Sequence, residues 1–191
     1  MIKKILISLL TLLLICGCSS KENDINFSYE VKTEKVDMSA YKGVTSSKHN
    51  FELTNFDELF KCIDEKSSGI FYYGYSECPC CQVCVSRINK AAMDLNVKVY
   101  YIDLFSTKYP VDDKTLDKLK DYCGSILNKD DEGNKIVQTP TVFTVINGEL
   151  KDSLICAGNM EFESDFTEAQ ETKIINKYRN MFTPFSEKNK D

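Results

Sequence analysis

The stretch Gly69–Ala92, GIFYYGYSECPCCQVCVSRINKAA, constrains the fold more than any other part of the chain. An apolar, aromatic run, Ile70–Tyr75, ends in Ser-Glu. Four cysteines then fall within seven residues, and an amphipathic segment follows. The run reads as a buried strand and the segment as a helix, so Cys78-Pro79-Cys80-Cys81 stands at a strand-to-helix junction. Pro79 suits the first helical turn, where a missing N–H costs no hydrogen bond. A thiol at the positive end of a helix is stabilised as a thiolate. Residues i and i+3 at a helix start also let two sulfurs meet, the second placed to expel a mixed disulfide formed on the first. The junction has the layout of a thiol-redox site.

The flanking pattern supplies a scaffold for it. Thr54–Lys66 reads as a helix, with Thr54 as cap, Asp57 three residues on, and an apolar face of Phe56, Leu59, Phe60 and Ile63. Cys62 falls on its flank as a small hydrophobe. Ser67-Ser68-Gly69 turns the chain into the strand. The helix that opens near Pro79 carries Val83, Ile88, Ala91, Ala92 and Leu95, with Arg87 and Lys90 facing outward, and Val97–Asp103 reads as a second strand. A helix between two such runs makes a parallel βαβ crossover, expected to be right-handed. Asp112–Cys123 reads as another crossover helix, with Leu116 and Leu119 at helical spacing. Asn128–Lys135 is a solvated loop whose acids lack the ligand periodicity of a calcium loop. Asn147-Gly148 is a strong hairpin signal, pairing Thr141–Ile146 with Leu150–Cys156. Gly158 ends that hairpin, Phe166–Arg179 reads as a closing helix, and the charged tail from Pro184 onward is expected to fray.

Before this region the signals are weaker. Ile25, Phe27, Tyr29 and Val31 alternate, which suggests a short edge strand within Ile25–Val36, and Lys35–Asn50 is irregular. The only histidine, His49, lies in that polar stretch and is expected at the surface. The N-terminus reads as a targeting segment: Met1-Ile2-Lys3-Lys4 is basic, and Ile5–Ile15 is apolar but short for a bilayer span. Ile15-Cys16-Gly17-Cys18 resembles the lipobox of bacterial lipoproteins, with Cys18 as the lipidated residue, and an ordinary secretory signal is the alternative. Lipidation tethers a protein to a membrane without making it a membrane fold. The domain plan is therefore a lipoprotein signal over 1–17, a tether and extension over 18–50, one domain over 51–180, and a charged tail over 181–191. Removing 17 of 191 residues leaves 174, enough for one domain with its own core. Loss of Lys3 and Lys4 takes the net charge from −5 to −7, and no Lys/Arg stripe marks a nucleic-acid surface. Of nine cysteines, seven remain once Cys16 and Cys18 are set aside. That odd number points to exchangeable thiols more than to a complete set of structural bridges.

The order strand, CPCC-headed helix, strand, helix, Thr139-Pro140 strand, Asn147-Gly148 hairpin, Gly158, helix resembles the thioredoxin superfamily over roughly Phe51–Tyr178. Within it the chain is similar to bacterial bacteriocin-transport-accessory and thiol–disulfide exchange lipoproteins. The resemblance implies a thioredoxin-like α/β fold, a central mixed sheet of about four to five strands with helices on both faces. It also implies an exposed attacking thiol at Cys78, a resolving thiol at Cys81, and a cis-Pro140 whose loop faces them and holds the Thr139 backbone open for an extended substrate. No organic cofactor is implied. The expected partners are extracytoplasmic thiol- or disulfide-bearing proteins and a membrane redox protein. A lipid anchor would hold a monomer on the outer face of the cell membrane.

Two positions depart from the family pattern. Glu77 stands where an aromatic residue often precedes the first cysteine, and its carboxylate opposes a thiolate at Cys78. Tyr72 occupies the central-strand position, six residues before Cys78, where reducing members carry a buried acid. The direction of exchange is accordingly open. Cys80 and Cys84 add a second, overlapping Cys-x-x-Cys with Cys81 and share a helix face at i,i+4. They are bystanders, a relay or trap for a disulfide, or part of a soft-metal set with Cys78 and Cys81. A continuous helix points four such residues around its circumference, which disfavours a tetrahedral centre. Three functions follow: a protein thiol–disulfide oxidoreductase, a zinc- or copper-binding lipoprotein, and a thioredoxin-fold binding or assembly protein without essential redox activity. Cys62, Cys123 and Cys156 are expected as buried free thiols, with a structural disulfide involving any of them as the alternative.

Overall fold

The structure is a computed structural model, described here for residues 24–155 and 166–186. The strands are β1 (Phe51–Thr54), β2 (Gly69–Gly74), β3 (Val99–Asp103), β4 (Asn128–Lys129), β5 (Lys135–Ile136), β6 (Thr141–Ile146) and β7 (Glu149–Ile155). The helices are α1 (Phe56–Asp64), α2 (Pro79–Leu95), α3 (Asp113–Cys123) and α4 (Glu168–Ser186). Five strands form one mixed sheet in the order β1-β3-β2-β6-β7, and β4 and β5 form a separate two-stranded ribbon. β1 and β2 both run parallel to β3, β6 is antiparallel to β2, and β7 is antiparallel to β6. This is the thioredoxin-like α/β arrangement expected from the sequence.

β2 is central because both of its faces are apolar, and all six of its residues are buried. Its alternate side chains divide the core. Ile70 and Tyr72 face the cluster built with Val85, Ile88, Ala91 and Ala92 of α2 and Ile174, Tyr178 and Phe182 of α4. Phe71 and Tyr73 face the cluster with Phe56, Leu59 and Phe60 of α1 and Leu119 and Cys123 of α3. The period-2 pleat alone produces this two-sided burial. Helix ends follow local chemistry. Asn96 takes a left-handed conformation after α2 (φ 51°), and the Val97 N–H reaches back to the Ala92 carbonyl at 3.0 Å. Asn147 and Gly148, both at positive φ, turn β6 into β7.

Several sequence expectations change. Thr54 ends β1 and does not cap α1; the cap is Asn55, whose side chain accepts the Glu58 N–H at 3.1 Å. The short strand Phe51–Thr54 merges in sequence with the helix that follows, which hid it. Ile25–Val36 forms no strand. It contributes one isolated bridge, Glu34 with Leu53, and it is pinned instead by Tyr29 and Lys32, which both donate to the Glu58 carboxylate. Met38, Tyr41 and Val44 from the irregular stretch are buried in the α2/α4 core, so residues before 51 help build the domain. His49 is partly buried, and its Nδ1 accepts the Phe51 N–H at 3.2 Å. α4 continues through Pro184 to Ser186, because Met181, Phe182 and Phe185 extend the apolar stripe of Ile174, Ile175 and Tyr178. Arg87 does not face outward. It lies over the Phe166 ring at 4.8 Å and pairs with Glu171 of α4 at 2.9 Å. Asn128–Lys135 closes on itself as the β4–β5 ribbon, with the Asp130 carboxylate accepting the N–H groups of Glu132 and Asn134.

Candidate functional site

The site forms where β2 hands the chain to α2. Cys78 is the N-cap of α2 and Pro79 is its first residue. The Cys78 sulfur occupies the place of a capping side-chain oxygen and accepts the Cys81 N–H at 3.2 Å. Antiparallel pairing of β6 with β2 sets Thr141 opposite Tyr73, which brings the preceding Thr139-Pro140 to the end of β2. The Thr139–Pro140 bond is cis. Thr139 lies over Cys78: its hydroxyl donates to Sγ at 3.6 Å, and its carbonyl stands 3.9 Å from the same sulfur. These contacts leave Cys78 only 4 % exposed, so the thiol expected to be accessible is largely covered by a loop 61 residues downstream.

Cys81, one turn on, is fully buried beneath it. Burial pushes its thiol up to about 12, and its contact with Cys78 acts in the same direction. The Tyr72 ring of β2 stacks on Tyr101 of β3 at 5.2 Å and leans against Phe51 at 5.9 Å, which aims its hydroxyl along the sheet toward Gly74. A methyl group on Gly74 would collide with the Tyr72 oxygen and lie 2.9 Å from the Cys81 sulfur, so these two atoms converge over the glycine. Glu77 is exposed beside the cysteines and Pro79 projects outward with it.

The two extra cysteines of the cluster part company. Cys84 is buried in the α2/α4 core and acts on the Tyr178 hydroxyl, whereas Cys80 is partly exposed and disulfide-bonded. Its partner is outside the described residues, because Cys62, Cys78, Cys81, Cys84 and Cys123 are all free thiols. Cys62 and Cys123 are buried, and burial pushes each up to about 12. Cys18, Cys156 and Gly158, for which the sequence predicts lipidation, a free thiol and a strand end, lie outside the described residues. Among the described residues, no three histidine, cysteine or acidic side chains come together as a metal would require. The cluster does not fit a soft-metal centre, since α2 turns Cys81 and Cys84 inward and Cys80 is engaged in a disulfide. Also among the described residues, no helix is long and apolar enough to cross a membrane.

An aromatic rim was not read from the sequence. Tyr75 and Phe105 follow the ends of β2 and β3 and meet edge-on at 4.6 Å, and Phe105 is 69 % exposed. The Tyr75 carbonyl accepts the Cys78 N–H at 3.3 Å, which ties the rim to the site. The only sequence signal was an aromatic residue just past the end of each parallel strand.

No protein-family model matches the chain, and no curated protein matches it. Solved structures do. Thioredoxin O1 from Arabidopsis thaliana, in its oxidized state, is 16 % identical, with 70 % of this chain and 96 % of that chain covered and a TM-score of 0.42. Thioredoxin O2 from the same plant is 13 % identical, covering 56 % and 83 %, with a TM-score of 0.38. A redox protein from Chlamydomonas reinhardtii is 16 % identical, covering 59 % and 33 %, with a TM-score of 0.37. The fold assignment rests on strand order, strand direction and helix placement.

Proposed function

We propose that this chain is a protein thiol–disulfide oxidoreductase that works through Cys78 and Cys81. The observation that carries this reading is the Cys78 sulfur at the head of α2, with the Cys81 N–H and the Thr139 hydroxyl both directed at it. Donors in that position stabilise charge on Sγ as a sulfur–sulfur bond breaks. The Cys78 sulfur attacks one sulfur of a substrate disulfide, the substrate's bond breaks, and the departing sulfur takes the electron pair. Cys81 then attacks Sγ of Cys78, forming the Cys78–Cys81 disulfide and releasing the second substrate thiol. The same steps run in reverse to oxidise a dithiol, and the poise of the redox partner sets the direction. An extended substrate segment would lie along Thr139, beside the Tyr75–Phe105 rim, and displace the loop's cover from Cys78.

The cellular setting is part of the proposal. The lipobox-like Ile15-Cys16-Gly17-Cys18 supports lipidation at Cys18 and an extracytoplasmic, membrane-tethered monomer served by a membrane redox protein. The experiment is mixed-disulfide trapping. Cys81→Ala retains substrate adducts on Cys78; adducts found equally on Cys84, or none at all, would overturn the assignment. A Cys78→Ser, Cys81→Ser double variant that kept full cellular function would favour a binding or assembly role.

A further inference from the structure

Cys81 has to lose a proton in a fully buried site, and no carboxylate occupies the β2 position six residues before Cys78. What stands there is the Tyr72 hydroxyl, also fully buried, which makes no hydrogen bond of full geometry. An orphaned buried hydroxyl is costly, and such groups concentrate where charge appears only during a reaction. The hydroxyl lies against two neighbours, the Cys81 thiol and the Tyr41 hydroxyl, closely enough that each alters the other's titration. Tyr41 in turn shares a 2.9 Å hydrogen bond with Tyr101, and these two rings meet edge-on. A line of hydroxyls, Tyr101–Tyr41–Tyr72, thus ends at the resolving sulfur.

We propose that Tyr72 is the positioning residue for resolution: its hydroxyl donates a hydrogen bond to the Cys81 sulfur as that sulfur becomes a thiolate, and Tyr41 and Tyr101 polarise it from behind. The inference rests on the reading of Cys78 and Cys81 as the exchanging pair. Tyr72 is a donor and not a base, because burial holds its own proton far more tightly than in water. In the step, Cys81 gives its proton to solvent, its sulfur attacks Sγ of Cys78, and the Cys78–substrate bond breaks. The electron pair leaves on the substrate sulfur, which takes up a proton from solvent, so protons and electrons balance. The groups facing Cys81 are Tyr72 from β2, Tyr41 from the segment before β1, Tyr101 from β3, Tyr178 from α4, and Cys78 from its own helix. Asp103, at the end of β3, acts on Tyr41 and Tyr101. Gly74 keeps the approach open, since any Cβ there would fill the space between oxygen and sulfur.

The test is stopped-flow reaction of the reduced full chain with oxidised glutathione, which separates glutathionylation of Cys78 from release of glutathione by Cys81. Tyr72→Phe is expected to leave the first step unchanged. It should slow release roughly tenfold at neutral pH and move the release profile about one pH unit alkaline. Tyr41→Phe should move the profile in the same direction by less. Because Phe fills the same volume and removes an orphaned polar group, Tyr72→Phe should also equal or exceed the parent protein in urea stability, a combination that a packing role does not produce. A Cys81→Ala control that holds glutathione on Cys78, together with an unmoved Tyr72→Phe profile, overturns the hydroxyl's role alone. A Cys81→Ala control that fails to hold it overturns the exchanging pair as well.

Discussion

Replacing Gly74 with alanine tests the packing on which the site depends. The new methyl would collide most closely with the Tyr72 oxygen and would sit 2.8 Å from its Cζ and 2.9 Å from the Cys81 sulfur. Tyr72 cannot swing aside, because its ring is held between Tyr101 and Phe51. Cys81 cannot retreat without disturbing the first turn of α2, whose Cys81 N–H is committed to the Cys78 sulfur. Overpacking of this kind costs roughly 1–3 kcal/mol. Tyr72→Phe removes the atom at the shortest of the three distances, so the double variant Gly74→Ala, Tyr72→Phe should recover about 1 kcal/mol relative to the sum of the single changes. Urea unfolding of all four reduced proteins measures the cycle. A Gly74→Ala variant within about 0.5 kcal/mol of the parent, or strictly additive effects, would refute the convergence of hydroxyl and thiol over Gly74.

The packing of the helices and the buried thiols has further measurable consequences. Asn55→Ala should cost about 1 kcal/mol through loss of the α1 cap, and Asn55→Asp should restore most of it, both read by urea unfolding. Phe182→Ala should cost about 3–5 kcal/mol in the same assay, because Phe182 of α4 is fully buried in the core cluster that α4 shares with α2; a small loss would mean that α4 does not pack through to its end. Cys62, Cys81 and Cys123 are each raised by burial from near 9 to about 12, so the folded state keeps protons that the unfolded chain loses. Their stabilising effect is full below pH 9 and is lost as pH rises toward about 12, at about 1.4 kcal/mol per pH unit for each thiol. Urea midpoints of the reduced protein should fall across that window, and Cys62→Ala should make the fall shallower.

The parts of the fold legible in the sequence were those fixed by short-range chemistry. Ile70–Tyr75 is apolar on both faces and could only be an interior strand, Pro79 marked the helix start, and Asn147-Gly148 marked the hairpin. Four-residue β1 was not legible, because Phe51-Glu52-Leu53-Thr54 runs straight into the apolar spacing of α1. Ile25–Val36 alternates like a strand yet pairs through a single bridge, since its side chains are anchored by Glu58 and by the core. Pro184 looked like a helix stop, and the burial of Phe185 one residue later outweighed it. The Cys-x-x-Cys spacing of Cys78 and Cys81 is visible in the sequence, and the cis bond at Pro140 was implied by the resemblance to the thioredoxin superfamily. The cover that Thr139 places on Cys78, the hydroxyl line behind Cys81 and the exposed Phe105 all depend on residues far apart in sequence.

Whether Cys78 and Cys81 are the exchanging pair is decided by a redox titration with mass-spectrometric mapping of every disulfide along it. Cys78 and Cys81 should form and lose one disulfide in a reversible two-electron transition that is distinct from the disulfide of Cys80 and absent from the Cys78→Ser, Cys81→Ser variant. A titration in which no Cys78–Cys81 disulfide forms, or in which the reversible disulfide maps to Cys84, would overturn that pair.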